Sequence, residues 1–370
     1  GKMHCGKRLR SYLRSIRVNK ESKENIMKLM KTEEAVGQVL CHDITQIIPG
    51  VTKDAVFRKG HIITKEDIPV LLSVGKEHVY IWEKDEHMLH ENEAAQILYE
   101  MCRNEHMHPS AVKEGKIELI ADCDGLFKVD REKLRKVNSL GEMMIATRHG
   151  NTFVKKGDKL AGTRIIPLVI EKEKMERAKE ICNDGSILEI KPLQPKKAAI
   201  LTTGSEVYHG RIQDKFTPVL VEKLKEYGSE VIFHEIYDDD HEAITKGCLG
   251  AIEQGAELVL CTGGMSVDPD DKTPLAIKNT GARIVSYGAP VLPGAMFLVS
   301  YYEYKDKTIP IVGLPGCVMY EKRTIFDLAL PRLLADDFIT AEELALLGEG
   351  GLCLNCPVCT YPNCGFGKGW

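Results

Sequence analysis

Two short apolar runs, Ala198-Ala199-Ile200-Leu201 and Leu258-Val259-Leu260-Cys261, constrain this chain most, because each stops at a turn of small, hydroxylated and acidic residues. The first turn is Thr202-Thr203-Gly204-Ser205-Glu206. The second is Thr262-Gly263-Gly264-Met265-Ser266-Val267-Asp268-Pro269-Asp270-Asp271. Apolar runs of this length read as buried strands, and an open α/β sheet keeps its ligands where its strands end. Between the two, Thr217-Pro218 reads as an N-cap with proline in the first turn of a helix that stops at Gly228. Val231-Ile232-Phe233 reads as a strand, and Asp238-Asp239-Asp240 leads into a second helix ending near Gly255. Strand and helix alternating in this way predict βαβ units and a parallel sheet. Further strands are expected at 283–286 and 308–312, and a last helix at 321–334.

Glycine lets a backbone approach a ligand and present its N–H groups to anionic oxygen. Serine and threonine add donors without bulk. Carboxylates beside such a pocket repel naked phosphate, but they suit Mg²⁺, which takes one or two carboxylates together with phosphate and water. Taken singly, Gly263-Gly264 is equally a tight turn, and Asp268, Asp270 and Asp271 a solvated acidic loop. Two such turns on one βαβ frame favour a ligand site.

The stretch from about 196 to 334 resembles the molybdopterin-binding domain of molybdenum cofactor biosynthesis proteins, nearest to the molybdopterin molybdenumtransferase family that includes the gephyrin E domain. The marks are Thr203-Gly204-Ser205-Glu206, the Gly263-Gly264-x-Ser266-Val267 run closing on Asp271, Pro293-Gly294 and Leu314-Pro315-Gly316. The resemblance implies a three-layer α/β/α domain over 195–340 with a mostly parallel sheet. It implies that Thr203, Gly204, Ser205, Gly263, Gly264, Ser266, Pro293, Gly294, Pro315 and Gly316 hold molybdopterin or its adenylylated form. It further implies that Asp271, with Asp270, binds Mg²⁺ and that Asp271 and Glu206 serve the chemistry. Leu292-Pro293-Gly294-Ala295 stands where the family has Lys-Pro-Gly-Lys, and Cys317-Val318-Met319-Tyr320 where it has Asn-Pro-Val-Ser. Lysine is a point charge suited to oxyanions, so these departures weigh against molybdate transfer more than against pterin binding. Lys272, Arg211 and Arg283 are the candidates to replace the missing charge.

Residues 32–190 resemble the amino-terminal region of the same family more loosely, through Ala35-Val36-Gly37-Gln38-Val39-Leu40, Asp43 and Lys59-Gly60-His61-Ile62-Ile63. A short helix from Glu66-Asp67 to Gly75, a strand Val79-Tyr80-Ile81-Trp82 and strands joined at Lys156-Gly157-Asp158 make this a mixed α+β region. Lys191-Pro192-Leu193-Gln194-Pro195 marks its boundary, and the separate carboxy-terminal β domain of longer family members finds no counterpart. Residues 1–31 read as a basic extension, disordered or not native, with Met27 or Met30 an alternative start. In the segment 86–91, His87, His90 and Glu91 would share a helix face, either as metal ligands or as a solvated polar surface, with His106 and His108 following.

Cys353, Cys356, Cys359 and Cys364 form a C-x₂-C-x₂-C-x₄-C array in a tail spanning 348–370. Four thiolates this close can serve one centre, zinc or an iron–sulfur cluster; the other reading is a loose tail of redox-active thiols. Gly348, Gly350 and Gly351 read as a hinge, so the tail is expected to be separable from the core and disordered without metal. A net charge of −4 and a pI near 6.4 give no reason to expect nucleic acid. No apolar run approaches the ~20 residues of a membrane helix, and the remaining cysteines read as reduced thiols of a cytoplasmic protein. The function read from the chain is Mg²⁺-assisted molybdate insertion by a molybdenumtransferase-like protein, expected to be a homodimer. The alternatives are a non-catalytic cofactor carrier for a client molybdenum enzyme, and a nucleotide pyrophosphatase of the competence-damage-inducible type.

Overall fold

The computed structural model describes residues 27–48, 52–82, 87–266 and 271–369. The chain divides into two compact units: the first takes in residues up to 120, 130–148 and 159–188, and the second 121–129, 149–158 and everything from 189 onward. The division is therefore interleaved along the chain rather than a single cut at the proline-marked 191–195.

The first unit is mixed α and β. Strand Met27–Lys31 pairs antiparallel with His78–Trp82, so these five residues are a strand and not part of an amino-terminal extension. Ala35, Leu40, Ile44, Ile63, Leu71, Val79 and Ile81 fill the small core beneath this ribbon. A four-stranded sheet runs in the order Met107–Pro109, Ile117–Ala121, Lys159–Ile165, Met143–Thr147. The segment around His90 is strand, not helix, up to Met88–His90, and a helix Glu91–Cys102 begins only after it. His90 is buried and caps that helix, accepting from the Asn92 N–H while its other ring nitrogen meets the Cys41 carbonyl at 2.7 Å. It is neither a metal ligand beside His87 nor part of a solvated face.

In the second unit we label the α/β elements β1 (Lys197–Thr203), α1 (Ser205–Tyr208), α2 (Phe216–Glu226), β2 (Glu230–Tyr237), α3 (His241–Glu253) and β3 (Leu258–Thr262). They continue with α4 (Thr273–Asn279), β4 (Arg283–Tyr287), β5 (Leu298–Tyr304), β6 (Lys307–Leu314), α5 (Ile325–Leu334) and α6 (Ala341–Leu346). One sheet runs β2-β1-β3-β6-β5-β4. The first four of these strands are mutually parallel and β5 alone runs against its neighbours. Alternate residues of each strand reach opposite faces. Ala198, Ile200, Leu258 and Leu260 pack with α2 and α5 on one side, and Ala199, Leu201, Val259 and Cys261 with α3 and α4 on the other. The expected α/β domain with a mostly parallel sheet is what the chain forms.

Three local readings change. Helix α2 starts at Phe216, and Asp214, not Thr217, caps it by accepting from the Phe216 and Thr217 N–H groups. Strand β5 was not foreseen. The helix expected at 321–334 begins at Ile325, after the Thr324 capping box, and is not the last, since α6 follows it.

The tail is the larger correction. Its backbone pairs with the loop before β5, Leu292 N–H to the Gly351 carbonyl and Cys353 N–H to the Leu292 carbonyl, each 2.8 Å. Phe366 is buried in the α2–α5 side of the core, with Tyr361, Cys353 and Cys364 packed against it. Gly351 is no hinge: an added Cβ there would lie 2.3 Å from the Pro290 oxygen and 2.4 Å from that of Leu347, so glycine permits two backbones to meet. The tail is part of the domain. No helix among the described residues is long and apolar enough to cross a membrane.

Candidate functional site at the sheet edge

Register places the last residues of the parallel strands side by side: Thr203 beside Tyr237, Thr202 beside Thr262, and Thr262 beside Leu314. Strand β5 begins at Leu298, opposite Gly313, so the loop that precedes it reaches the same edge. The turns carrying Thr203, Gly204, Ser205 and Glu206, then Gly263, Gly264 and Ser266, then Pro315 and Gly316 thus gather at one edge of the sheet. Pro293 and Gly294 lie there too, packed on α5: the Pro293 carbonyl accepts from Ile325 N–H and a Cβ on Gly294 would meet the Ile325 side chain at 2.4 Å.

The glycine turn is fixed from both sides. Gly263 has φ +82°, and a Cβ there would lie 2.1 Å from the Thr203 oxygen. The Thr273 hydroxyl, at the start of α4, donates to the Gly263 carbonyl at 2.9 Å and lies 3.0 Å from the Thr203 hydroxyl. The Ser266 N–H donates to Asp271 at 2.7 Å, and the Tyr287 hydroxyl to the Met265 carbonyl at 2.7 Å. Burial, then the Asp271 charge, raises the Tyr287 phenol above its ordinary value. Asp268 and Asp270 lie outside the described residues.

Carboxylates already occupy the donors expected to cradle an anion. The Ser205 N–H donates to Asp239 at 3.0 Å and its hydroxyl to Asp238. That hydroxyl, followed by the Asp239 N–H, holds the Asp238 carboxyl below its usual range. His209 lies 3.5 Å from the other Asp238 oxygen. Beneath them burial works to raise the Asp214 carboxyl, but hydrogen bonds from Thr217 and Thr202 outweigh it and the carboxyl stays depressed. Ser205 and Ser266 therefore position acids rather than present free donors. A bare phosphate would meet repulsion at this edge.

One polar group was overlooked in the sequence. Thr262 is fully buried, and its hydroxyl is the single buried side-chain polar atom without a partner among the described residues. An unsatisfied buried hydroxyl costs about 1–3 kcal/mol. It belongs to the last residue of β3, immediately before the glycine pair, and the adjacent Thr202 has its own hydroxyl bound to Asp214 at 3.0 Å. A threonine closing a strand ahead of two glycines is the signal that could have found it.

Of the three candidate cations, Lys272 directly follows Asp271, and Arg211 is near enough to the acidic turn to depress Asp238. Arg283 opens β4 opposite Tyr301, over whose ring it lies, at the far end of the sheet. It cannot replace a site lysine. Leu292, where the family has lysine, is exposed and has its backbone committed to the tail. Among the described residues no three His, Cys, Asp or Glu side chains gather closely enough to cage a metal ion, the tail cysteines included.

Residues 199–335 match the family described as "Probable molybdopterin binding domain", and residues 29–83 a domain of unknown function. The chain is 27% identical over 135 residues to molybdopterin adenylyltransferase of Pyrococcus furiosus, covering 36% of this chain and 76% of that protein. It is 32% identical over 89 residues to a putative competence-damage inducible protein of Bacillus subtilis, covering 24% of this chain but only 21% of that one. The solved tungsten cofactor synthesizing protein MoaB of Pyrococcus furiosus aligns at 21% identity over 34% of this chain and 84% of its own, with a TM-score of 0.30. The α/β domain at 199–335 belongs to the molybdopterin-binding domain family of molybdenum cofactor biosynthesis proteins.

Proposed function

We propose that the sheet edge binds molybdopterin or its adenylylated form by the phosphate end, and that the chain acts there as a Mg²⁺-assisted transferase of molybdenum cofactor biosynthesis. The observation that carries this is the saturation of the edge by carboxylates. Asp238, Asp239 and Asp271 are each fixed by a serine N–H or hydroxyl, so an anionic ligand needs a bridging cation. Mg²⁺ asks for one or two carboxylates and takes its remaining ligands from phosphate and water, so the donor set fits although no three acids converge. Asp271 and, across the edge, Glu206 would hold it; when bound, the ion neutralises developing charge on a phosphoryl oxygen. The Gly263-Gly264 turn orients the ligand, while Arg211 and Lys272 supply positive charge.

Adenylyl transfer fits these residues better than molybdate insertion, because the two lysine positions are Leu292 and Ala295. The same vacancy of charge supports a second reading, a carrier that binds the cofactor for a client molybdenum enzyme without turning it over.

The test compares the full chain with Asp271→Asn in molybdopterin binding and in Mg²⁺- and ATP-dependent adenylylation. The variant is expected to bind pterin equally without Mg²⁺ and to lose about 10²-fold or more in turnover. Equal turnover removes Asp271 from the site. Binding without turnover by the unaltered chain selects the carrier. Hydrolysis of nucleotide pyrophosphates in place of transfer would select the competence-damage type of activity.

A further inference from the structure

All four tail cysteines open onto one cavity of about 490 Å³, bounded also by Arg323 and Tyr361. We propose that this cavity is the seat of one iron–sulfur cluster ligated by Cys353, Cys356, Cys359 and Cys364. Three observations carry the assignment, and none involves the pterin reading.

The first is size. Zinc draws four sulfurs to about 2.3 Å from a single point and leaves no hollow. Here all four thiols border one cavity, with room for more than a single ion. The second is the frame. The ends of the loop are anchored, at Cys353 by its N–H to the Leu292 carbonyl and at Tyr361 by its hydroxyl to the Asp327 carbonyl at 2.9 Å. Residues 353–360 between them carry no helix or strand, so the thiols can draw in around a cluster without breaking regular structure. The third is charge. A cluster held by four thiolates is anionic overall, and Arg323 lies on the wall of the same cavity as Cys359. Hydrogen bonds to sulfur are among the features that set a cluster's potential.

Loading is a ligand exchange. Each cysteine thiol passes its proton to a departing small-molecule thiolate as its sulfur binds iron, and no oxidation state changes. The wall of the cavity at 320–323 is separated from Pro315-Gly316 by three residues, and Leu292 pairs with 351–353. A cluster would therefore adjoin two of the sheet-edge loops.

The experiment offers the full chain, handled anaerobically, a synthetic [4Fe–4S] cluster carrying small-molecule thiolates, and separately Zn²⁺ alone. The expected result is iron and acid-labile sulfide retained in equal amounts through gel filtration, with visible charge-transfer absorption. Cys356→Ser and Cys359→Ser, at exposed positions, should retain no cluster yet melt with the parent chain. Retention of zinc but not of iron and sulfide would overturn the proposal. So would loss of iron by the parent chain, or iron retention unchanged in the Cys356→Ser, Cys359→Ser double variant.

Discussion

The sheet edge and the tail cavity each advertise chemistry in the sequence, but only the edge is assembled by its own fold. At the edge, four acidic side chains are aimed by a serine or threonine: Asp271 by Ser266, Asp238 and Asp239 by Ser205, Asp214 by Thr202 and Thr217. In the tail the backbone is fixed at both ends while the thiols border a hollow. The first site is preorganised by hydrogen bonds within the protein. The second is a loop held at both ends, with its four thiols bordering one cavity.

The sharpest way to break this comparison is to remove the tail. If its attachment is what the packing shows, truncation after Glu349 strips Phe366 and Tyr361 from the core and should abolish the cooperative unfolding of the α/β domain or lower its melting temperature sharply. Phe366→Ala alone should cost about 3–5 kcal/mol, read by denaturant titration. A truncated chain that melts with the parent would restore the separable tail.

Next in size are the turn glycines. Gly263→Ala forces a Cβ to 2.1 Å from the Thr203 oxygen at a φ of +82°, whereas Gly316→Ala meets nothing within 4 Å. The first should destabilise by roughly 1–3 kcal/mol or more and disturb the edge; the second should be near neutral. Matched thermal melts of the two variants would show it, and equal behaviour would mean the edge is not preorganised.

Smaller, and dependent on pH, is Asp337. Its buried carboxyl is depressed to about 2: burial opposes this, but Arg332, then Lys128 and Lys191, overcome it. A group whose folded value lies below its unfolded one stabilises above the unfolded value and loses that contribution as pH falls through the folded one. Asp337→Asn should therefore cost about 2 kcal/mol at neutral pH, and the difference from the parent should shrink between about pH 4 and pH 2. Denaturation curves at several pH values check the sign.

The central sheet was legible because β1 and β3 are continuous apolar runs and the glycine turns follow them at once. Strand β5 was not, because its first half is buried and its second half partly exposed, and no single periodicity describes both. The roles of Ser205 and of the tail were hidden for another reason. Ser205 is satisfied by acids more than thirty residues away, and Phe366 by a core drawn from β1, α2, β3, β5, β6, α5 and α6, so neither partnership leaves a local trace. The cysteines drew attention to themselves and away from the aromatic residues among them.

The sheet order also leaves strand β2 paired on one side only among the described strands. Such a margin invites a passing strand from another molecule to dock. Its own pattern resists that: Ile232 is an extra residue that skips a partner on β1, and Glu230, His234 and Glu235 are exposed along it. A bulge and the carboxylates of Glu230 and Glu235 make the margin a poor template. Colloidal behaviour of this chain, during refolding or at high concentration, would then depend on those three side chains far more than on the stability of the core. Replacing them with apolar residues would produce a protein that still folds but no longer stays apart from its neighbours.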